Sequence, residues 1–254
     1  MQTTIRMAGT AGVAIAAVAS AVTAPAASAS VASFCDQIGG QWNGQYCHAS
    51  VATERKAVLE INIAIPAEID GPIGGVIADY LTTLMNNWRS AGKNMAYDSW
   101  GDANFEIFQH GGIRTVVFHE DYHAEGTAIN DAYRTFAYEG GRQVQLADLM
   151  DVNAIPSLGA PYIQAALDQA PPPHDPNTYP FTPDRWTPDK VYSGGYKAWA
   201  LTPTELILYM PDYPVARDTP IDFTPGSYLW SMNGGTVQPH IPLSALSSIL
   251  RPGV

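Results

Sequence analysis

The chain has 254 residues, with 13 Lys and Arg against 24 Asp and Glu and a formal charge of -11. Its 46% hydrophobic and 15% charged residues supply the material for a packed core, which excludes a disordered chain. The acidic balance excludes a nucleic-acid binder, whose phosphate contacts need a basic surface, and no internal apolar run reaches the ~18 residues of a membrane span.

Residues 1–30 carry one charged side chain, Arg6. A short Ala-rich apolar run, Met7 to Ala19, is followed by an Ala/Ser stretch containing Ala27-Ser28-Ala29, with Ala24-Pro25-Ala26 as the alternative cleavage signal. A positive start, an apolar middle and an Ala-x-Ala site describe a secretory signal over residues 1–29. The run is too short and too Ala-rich for an uncleaved anchor. Residues 30–254 then form one secreted domain, long enough for a sizeable core. Cys35 and Cys47 are the only cysteines. In an oxidising compartment a lone pair so close in sequence forms a disulfide, worth about 3 kcal/mol in the chain-entropy model. The bridge closes the 35–47 loop and pins Phe34 and Trp42. A metal site would need further ligands, so no metal and no cofactor are expected.

Lys56 to Ile65 alternates, with Leu59, Ile61, Ile63 and Ile65 on one side, and predicts a strand ended by Pro66. From Pro72 the period becomes helical. Ile73, Val76, Ile77, Tyr80, Leu81, Leu84, Met85 and Trp88 form a core-facing stripe, and Gly92 supplies the stop. Ala103–Gln109, Arg114–His123 and Tyr133–Tyr138 read as strands separated by turns, and Gly140-Gly141 closes a hairpin into Gln143–Leu146. A second helix is expected over Pro161 to Gln169. The 171–190 loop holds seven prolines in twenty residues. It also holds Tyr179, Phe181 and Trp186, so it reads as an ordered loop rather than a linker. Lys197–Leu201 and Leu206–Met210 form a hairpin, Thr236–Ile241 a last strand and Leu243–Leu250 a C-terminal helix. The pattern is α+β, a single domain with a largely antiparallel sheet packed by a long amphipathic helix and shorter helices.

His119-Glu120-Asp121-Tyr122-His123 satisfies the H-E-x-x-H pattern, in which two histidines one helical turn apart hold Zn and Glu is the general base. The approach, Thr115-Val116-Val117-Phe118, favours a strand. There His119 and His123 share a face about 13 Å apart, at ~3.3 Å per residue, and one Zn cannot reach both. The segment instead reads as an exposed polar end of a strand, with Glu120, Asp121 and both histidines in solvent. Serine chemistry has no G-x-S-x-G elbow to stand on. Ser193, among flexible glycines, and Ser227 are the candidate nucleophiles, with His119, His123, His174 or His240 as base. Trp186, Trp199 and Trp230 either stack a ligand or pack the Pro-rich loop onto the sheet. Tyr179, Phe181 and Trp186 are the candidate binding residues.

The order of several segments carries a resemblance. Val116-Val117-Phe118, Glu125-Gly126-Thr127, Tyr133-Arg134-Thr135-Phe136 and the run Gly140 to Leu149 resemble the sheet of the mycobacterial secreted immunogenic-antigen family and the related extracellular domain of RsiV-type anti-sigma factors. The Cys pair, Ile61-Asn62-Ile63-Ala64-Ile65-Pro66, Glu205 to Met210, and His240 to Leu246 fit the same pattern. The resemblance implies a β-grasp-like sheet, secretion and no established catalytic machinery. Sensor members bind lysozyme, and esterase activity has been proposed for some secreted relatives. Ala128 stands where the family often has His after the central strand. The expected function is a secreted or cell-wall-associated binding protein with an unidentified protein or cell-envelope ligand; the alternative is a serine carboxylester hydrolase.

Overall fold

A computed structural model of the chain describes residues 26–124, 128–169, 196–210, 224–226 and 237–254. Helix α1 (Ala26–Gln37) leads into strands β1 (Gln41–Trp42), β2 (Cys47–Ala52) and β3 (Val58–Ile63). A 3-10 turn, Ala67–Asp70, precedes helix α2 (Gly74–Gly92), after which come β4 (Ser99–His110), β5 (Ile113–Ala124), β6 (Ala128–Glu139) and β7 (Arg142–Val144). Three short helices follow: α3 (Leu146–Leu149), α4 (Ile155–Leu158) and α5 (Ala160–Gln169). The described chain closes with β8 (Trp199–Leu201), β9 (Glu205–Leu208) and β10 (His240–Pro242).

Among the described residues, β1 to β7 form one sheet in sequence order, antiparallel except for β3 and β4, which run parallel. That parallel pair is joined through α2, as a crossover between parallel strands requires. The fold is therefore the mixed α+β type expected, with a large, mostly antiparallel sheet. β8, β9 and β10 make a second antiparallel sheet.

Period two decides which side chains meet α2. Leu59, Ile61 and Ile63 of β3 are fully buried, and so are Ala103 of β4 and Val116 and Phe118 of β5. They pack against Ile77, Tyr80, Leu81, Leu84, Met85 and Trp88 on the predicted stripe of α2. Val76 departs from that stripe and is 40% exposed, because it sits about 100° around the helix from Ile77, at the stripe's edge. Trp88 stacks on Tyr122 with ring centroids 5.7 Å apart. The opposite face of the sheet carries the polar and aromatic residues of β4 and β5. One end of that face is covered by the second sheet. Ala198, Ala200, Ile207 and Tyr209 pack there on Val117, Phe108 and Tyr133. Thr135 fastens the two sheets, its Oγ1 donating to the Trp199 carbonyl at 2.6 Å and accepting from the Trp199 amide at 2.7 Å. Trp199 is 1% exposed, so it is core rather than a stacking platform.

Two expectations at the C-terminal end need correction. Leu243–Leu250 is a succession of tight turns, not a helix. The amides of Ala245, Leu246 and Ile249 bond three residues back, while the Ile249 carbonyl and the Arg251 amide bond to Asp151 and Leu149. Sheet-like pairing with residues 149–151 thus takes backbone groups that a helix would use. The expected strand Thr236–Ile241 is divided. Val237 makes an isolated bridge with Met210, and the ladder resumes only at His240, because Pro239 between them has no amide to donate. The sequence reading also missed α1, β1 and β2.

Cys35 and Cys47 are bonded, with Cα atoms 5.3 Å apart, tying α1 to β2. Phe34 and Trp42 pack on the core beside the bridge, as expected. Arg89 on α2 reinforces the same corner by donating to the carbonyls of Ile38, at 2.9 Å, and Gly39. Gly40 is required by close approach, since a Cβ there would lie 2.3 Å from the Cys47 sulfur. Cys47→Ser is expected to lower unfolding stability by about 2–4 kcal/mol in urea titrations. Gly40→Ala should leave titratable thiols in protein folded under oxidising conditions. An unchanged urea midpoint for Cys47→Ser would mean that the bridge does not constrain the unfolded chain.

Candidate functional site

The uncovered end of the outer sheet face meets the edge of the second sheet in a cleft of about 210 Å³. Its walls are Asn104, Glu106, Val117, His119, Tyr133 and Tyr209, closed by Phe105 and Gln238. Register places Asn104 of β4 opposite His119 of β5, and His119 opposite Tyr133 of β6. Tyr209 follows β9 and reaches across from the second sheet. The three rings stack in series. His119 and Tyr133 have centroids 4.5 Å apart and 16° between planes, and Tyr133 and Tyr209 are 4.3 Å and 11° apart. Gln238 donates to the Tyr133 hydroxyl at 3.4 Å. Burial, reinforced by Glu106 and Tyr133, pushes the Tyr209 hydroxyl well above the ordinary tyrosine range. It therefore stays protonated and able to donate at any physiological pH. A stack of ring edges flanked by an amide, a carboxylate and a phenol binds apolar ring faces and hydroxyls together.

The H-E-x-x-H segment lies on β5, as its β-branched and aromatic approach predicts. His119 and His123 share the outer face and Glu120 points to the other. His123 is engaged on both sides, its Nε2 2.8 Å from Asp121 and its ring stacked 4.2 Å from that of Trp100. Glu120 overturns the expectation of a solvated strand end, because it is 1% exposed. Alternation carries it under the sheet beside α2. Its Oε1 accepts from the Tyr80 hydroxyl at 3.0 Å and lies 3.2 Å from Arg134 Nε, while Oε2 accepts from the Gly226 amide at 3.0 Å. Arg134 also donates to the Thr224 carbonyl at 3.4 Å, and Asn87 of α2 donates to the Pro225 carbonyl at 2.7 Å. Gly226 has φ +69°, and a Cβ there would lie 3.1 Å from Trp88, 3.2 Å from Asn87 and 3.3 Å from Leu84, so a side chain would press on all three. The Glu of the motif is thus a buried anchor for residues 224–226. Among the described residues no cluster of three His, Cys, Asp or Glu is arranged to hold a metal.

Ser193, Ser227, Tyr179, Phe181, Trp186, His174 and Trp230 lie outside the described residues. His240, on β10, is exposed and pairs with Glu205 at 3.1 Å. Among the described residues singled out from sequence as site candidates, His119 alone lines the cleft.

Two segments of the chain match known families. Residues 147–244, from α3 to just past β10, match the family described as a protein of unknown function, DUF3298. Residues 24–61 match the family described as mannan-binding protein. Two solved structures are similar over most of the chain. A DUF3298 family protein from Pseudomonas aeruginosa has 12% identity and a TM-score of 0.45, covering 82% of this chain and 94% of that one. A member of the same family from Bacteroides fragilis has 13% identity and a TM-score of 0.42, covering 81% and 91%. No curated protein matches the chain. No helix among the described residues is long and apolar enough to cross a membrane.

Tyr133, Tyr209, Asn104, Glu106 and Gln238 were not singled out from sequence. The available signal was in β4, where Trp100, Asp102, Asn104 and Glu106 alternate with Gly101, Ala103 and Phe105. A strand whose second face is polar and aromatic, rather than merely charged, marks a surface that meets something.

Glu120→Ala leaves Arg134 buried without its carboxylate and is expected to cost about 3–5 kcal/mol in thermal or urea unfolding. A loss below 1 kcal/mol would sink the anchor assignment. Alkali provides a second check. Burial, then the Glu120 charge, raises Tyr80 well above its ordinary value, and Tyr209 is raised as well. Their stabilising contribution is complete below the unfolded tyrosine value of about 10 and is lost as pH climbs toward the raised folded values, because only the unfolded chain ionises there. Tyrosinate absorbance should therefore lag for these two residues until circular dichroism reports unfolding. Simultaneous titration of every tyrosine in the folded protein near pH 10 would contradict the burial argument.

Proposed function

We propose that this is an exported, envelope-facing binding protein without catalytic machinery, and that the cleft between its two sheets takes a neutral glycan. The stack of His119, Tyr133 and Tyr209 carries the reading. Sugar rings present an apolar C–H face and an equatorial fringe of hydroxyls. The cleft offers aromatic surface with Asn104, Glu106, Gln238 and the protonated Tyr209 hydroxyl around it. The similarity of residues 24–61 to a mannan-binding protein family supports the ligand class for the chain, although those residues form α1 to β3 and none of them lines the cleft. The signal-like N-terminus and the disulfide suit an oxidising, extracellular setting. The resemblance to the mycobacterial antigen and RsiV-type domains is compatible with a binding role and adds a protein ligand as the competing occupant.

Titration calorimetry of the oxidised protein with manno-oligosaccharides is expected to give saturable binding that Tyr133→Ala weakens about tenfold or more, the equivalent of ~1.4 kcal/mol. The serine-reactive fluorophosphonate probe is expected to leave the intact mass unchanged. Absence of binding to any neutral glycan would remove the reading. A stoichiometric fluorophosphonate adduct lost on denaturation would replace it with the carboxylester-hydrolase alternative.

A further inference from the structure

The cleft is one end of a longer polar and aromatic face. Along β4 toward its start, two further cross-strand rows lie on the same side of the sheet. The nearer row runs His48, Asn62, Asp102, Asp121 over β2, β3, β4 and β5, and the farther one runs Ser50, Glu60, Trp100, His123. Trp100 is 43% exposed, although one face of its indole is stacked on His123. A large indole left this open on a sheet face and braced by His123 offers apolar surface to a ligand.

The residues around Trp100 are already held in place. Ser50 donates to Glu60 at 3.1 Å, the other Glu60 oxygen lies 3.4 Å from His48 Nε2, and His48 Nδ1 meets Asn62 Oδ1 at 2.9 Å. Asn62 in turn donates to Asp102 at 2.8 Å, and Asp121 holds His123 at 2.8 Å. These links join β2, β3 and β4, the Trp100–His123 stack carries on to β5, and together they fix polar tips on four strands without help from a ligand. Such preorganisation removes much of the ordering cost that exposed polar side chains otherwise impose on binding.

We propose that the Trp100–His123 platform is a second subsite continuous with the cleft, and that the whole face binds a linear, neutral polysaccharide lying along the strand direction. The proposal rests on the glycan reading of the cleft and extends it to chain length and charge. Trp100 and Asn104 are four residues apart on one strand, about 13 Å at ~3.3 Å per residue. A disaccharide does not bridge that distance, whereas a longer chain stacks at Trp100 and packs on the ring edges of His119, Tyr133 and Tyr209 while its hydroxyls face the Asn62–Asp102–Asp121 row between. Charge selects within the class. Glu60, Asp102, Asp121 and Glu106 all lie on this face, so uronate-, sulfate- or phosphate-bearing chains are repelled and neutral ones are not.

The test is calorimetric binding of a size series, mannose to mannohexaose, to the wild-type protein, Trp100→Ala, Trp100→Phe and Tyr133→Ala, with circular dichroism confirming that each variant is folded. Wild type is expected to bind the hexasaccharide at least tenfold more tightly than the disaccharide. Trp100→Ala should lower hexasaccharide affinity about tenfold and leave disaccharide affinity within twofold, and Trp100→Phe should recover most of the loss, while Tyr133→Ala should weaken both ligands. Dextran sulfate should not bind wild type measurably. Hexasaccharide affinity that ignores Trp100→Ala would overturn the second subsite and leave the cleft reading standing. Absence of any glycan binding by wild type would remove both. Capture of a basic protein through Trp100, collapsing as salt rises, would reassign the face to protein docking.

Discussion

The carboxylate of Glu120 sits where helix, sheet and the 224–226 segment meet, and the two faces of the sheet take their identities from its placement. It is removed from water, faces Arg134, and accepts from Tyr80 and from the Gly226 amide. A buried ion pair of this kind contributes little net stability beside an apolar substitute, but losing one partner is expensive. The consequence is strict register. Sliding β5 by one residue would move Glu120 into solvent and His119 into the hydrophobic core, so every neighbouring strand is held to the pairing that places Asn104, His119 and Tyr133 in one outward row.

The site then follows from a partial overlap of two sheets. Among the described residues the second sheet covers part of the outer face of β4, β5 and β6, with Thr135 and Trp199 fastening it. At the end of its described strands Tyr209 and Gln238 form a wall of the cleft. Aromatic groups that in a closed sandwich would be core are left with one edge accessible.

The H-E-x-x-H segment shows how much of such a site local sequence can decide. Period two was enough to separate His119 from His123 and so reject the helical zinc geometry, and the strand bears that out. The same alternation puts Glu120 opposite both histidines. What local reasoning lacked was the burial of that other face, which depends on α2 lying across it. A Glu among Asp and His looks solvated in a linear chain, and only the arrival of Tyr80 and Arg134 from other elements makes it a core residue.

The amino-acid sequence by itself determined the strand at Val58–Ile63, the α2 stripe, the three long strands with their turns, the Cys35–Cys47 bridge and the α+β class. Each of these is written in periodicity, turn chemistry or cysteine spacing within a short window. The tertiary structure alone decided the parallel β3–β4 pairing, the turns that replace a C-terminal helix, and the cleft. Its walls come from residues 104 to 238, and nothing in a local window sets the distance between them. Tyr133 and Tyr209 have no sequence pattern in common; they stack because the second sheet packs across the outer face of β5 and β6.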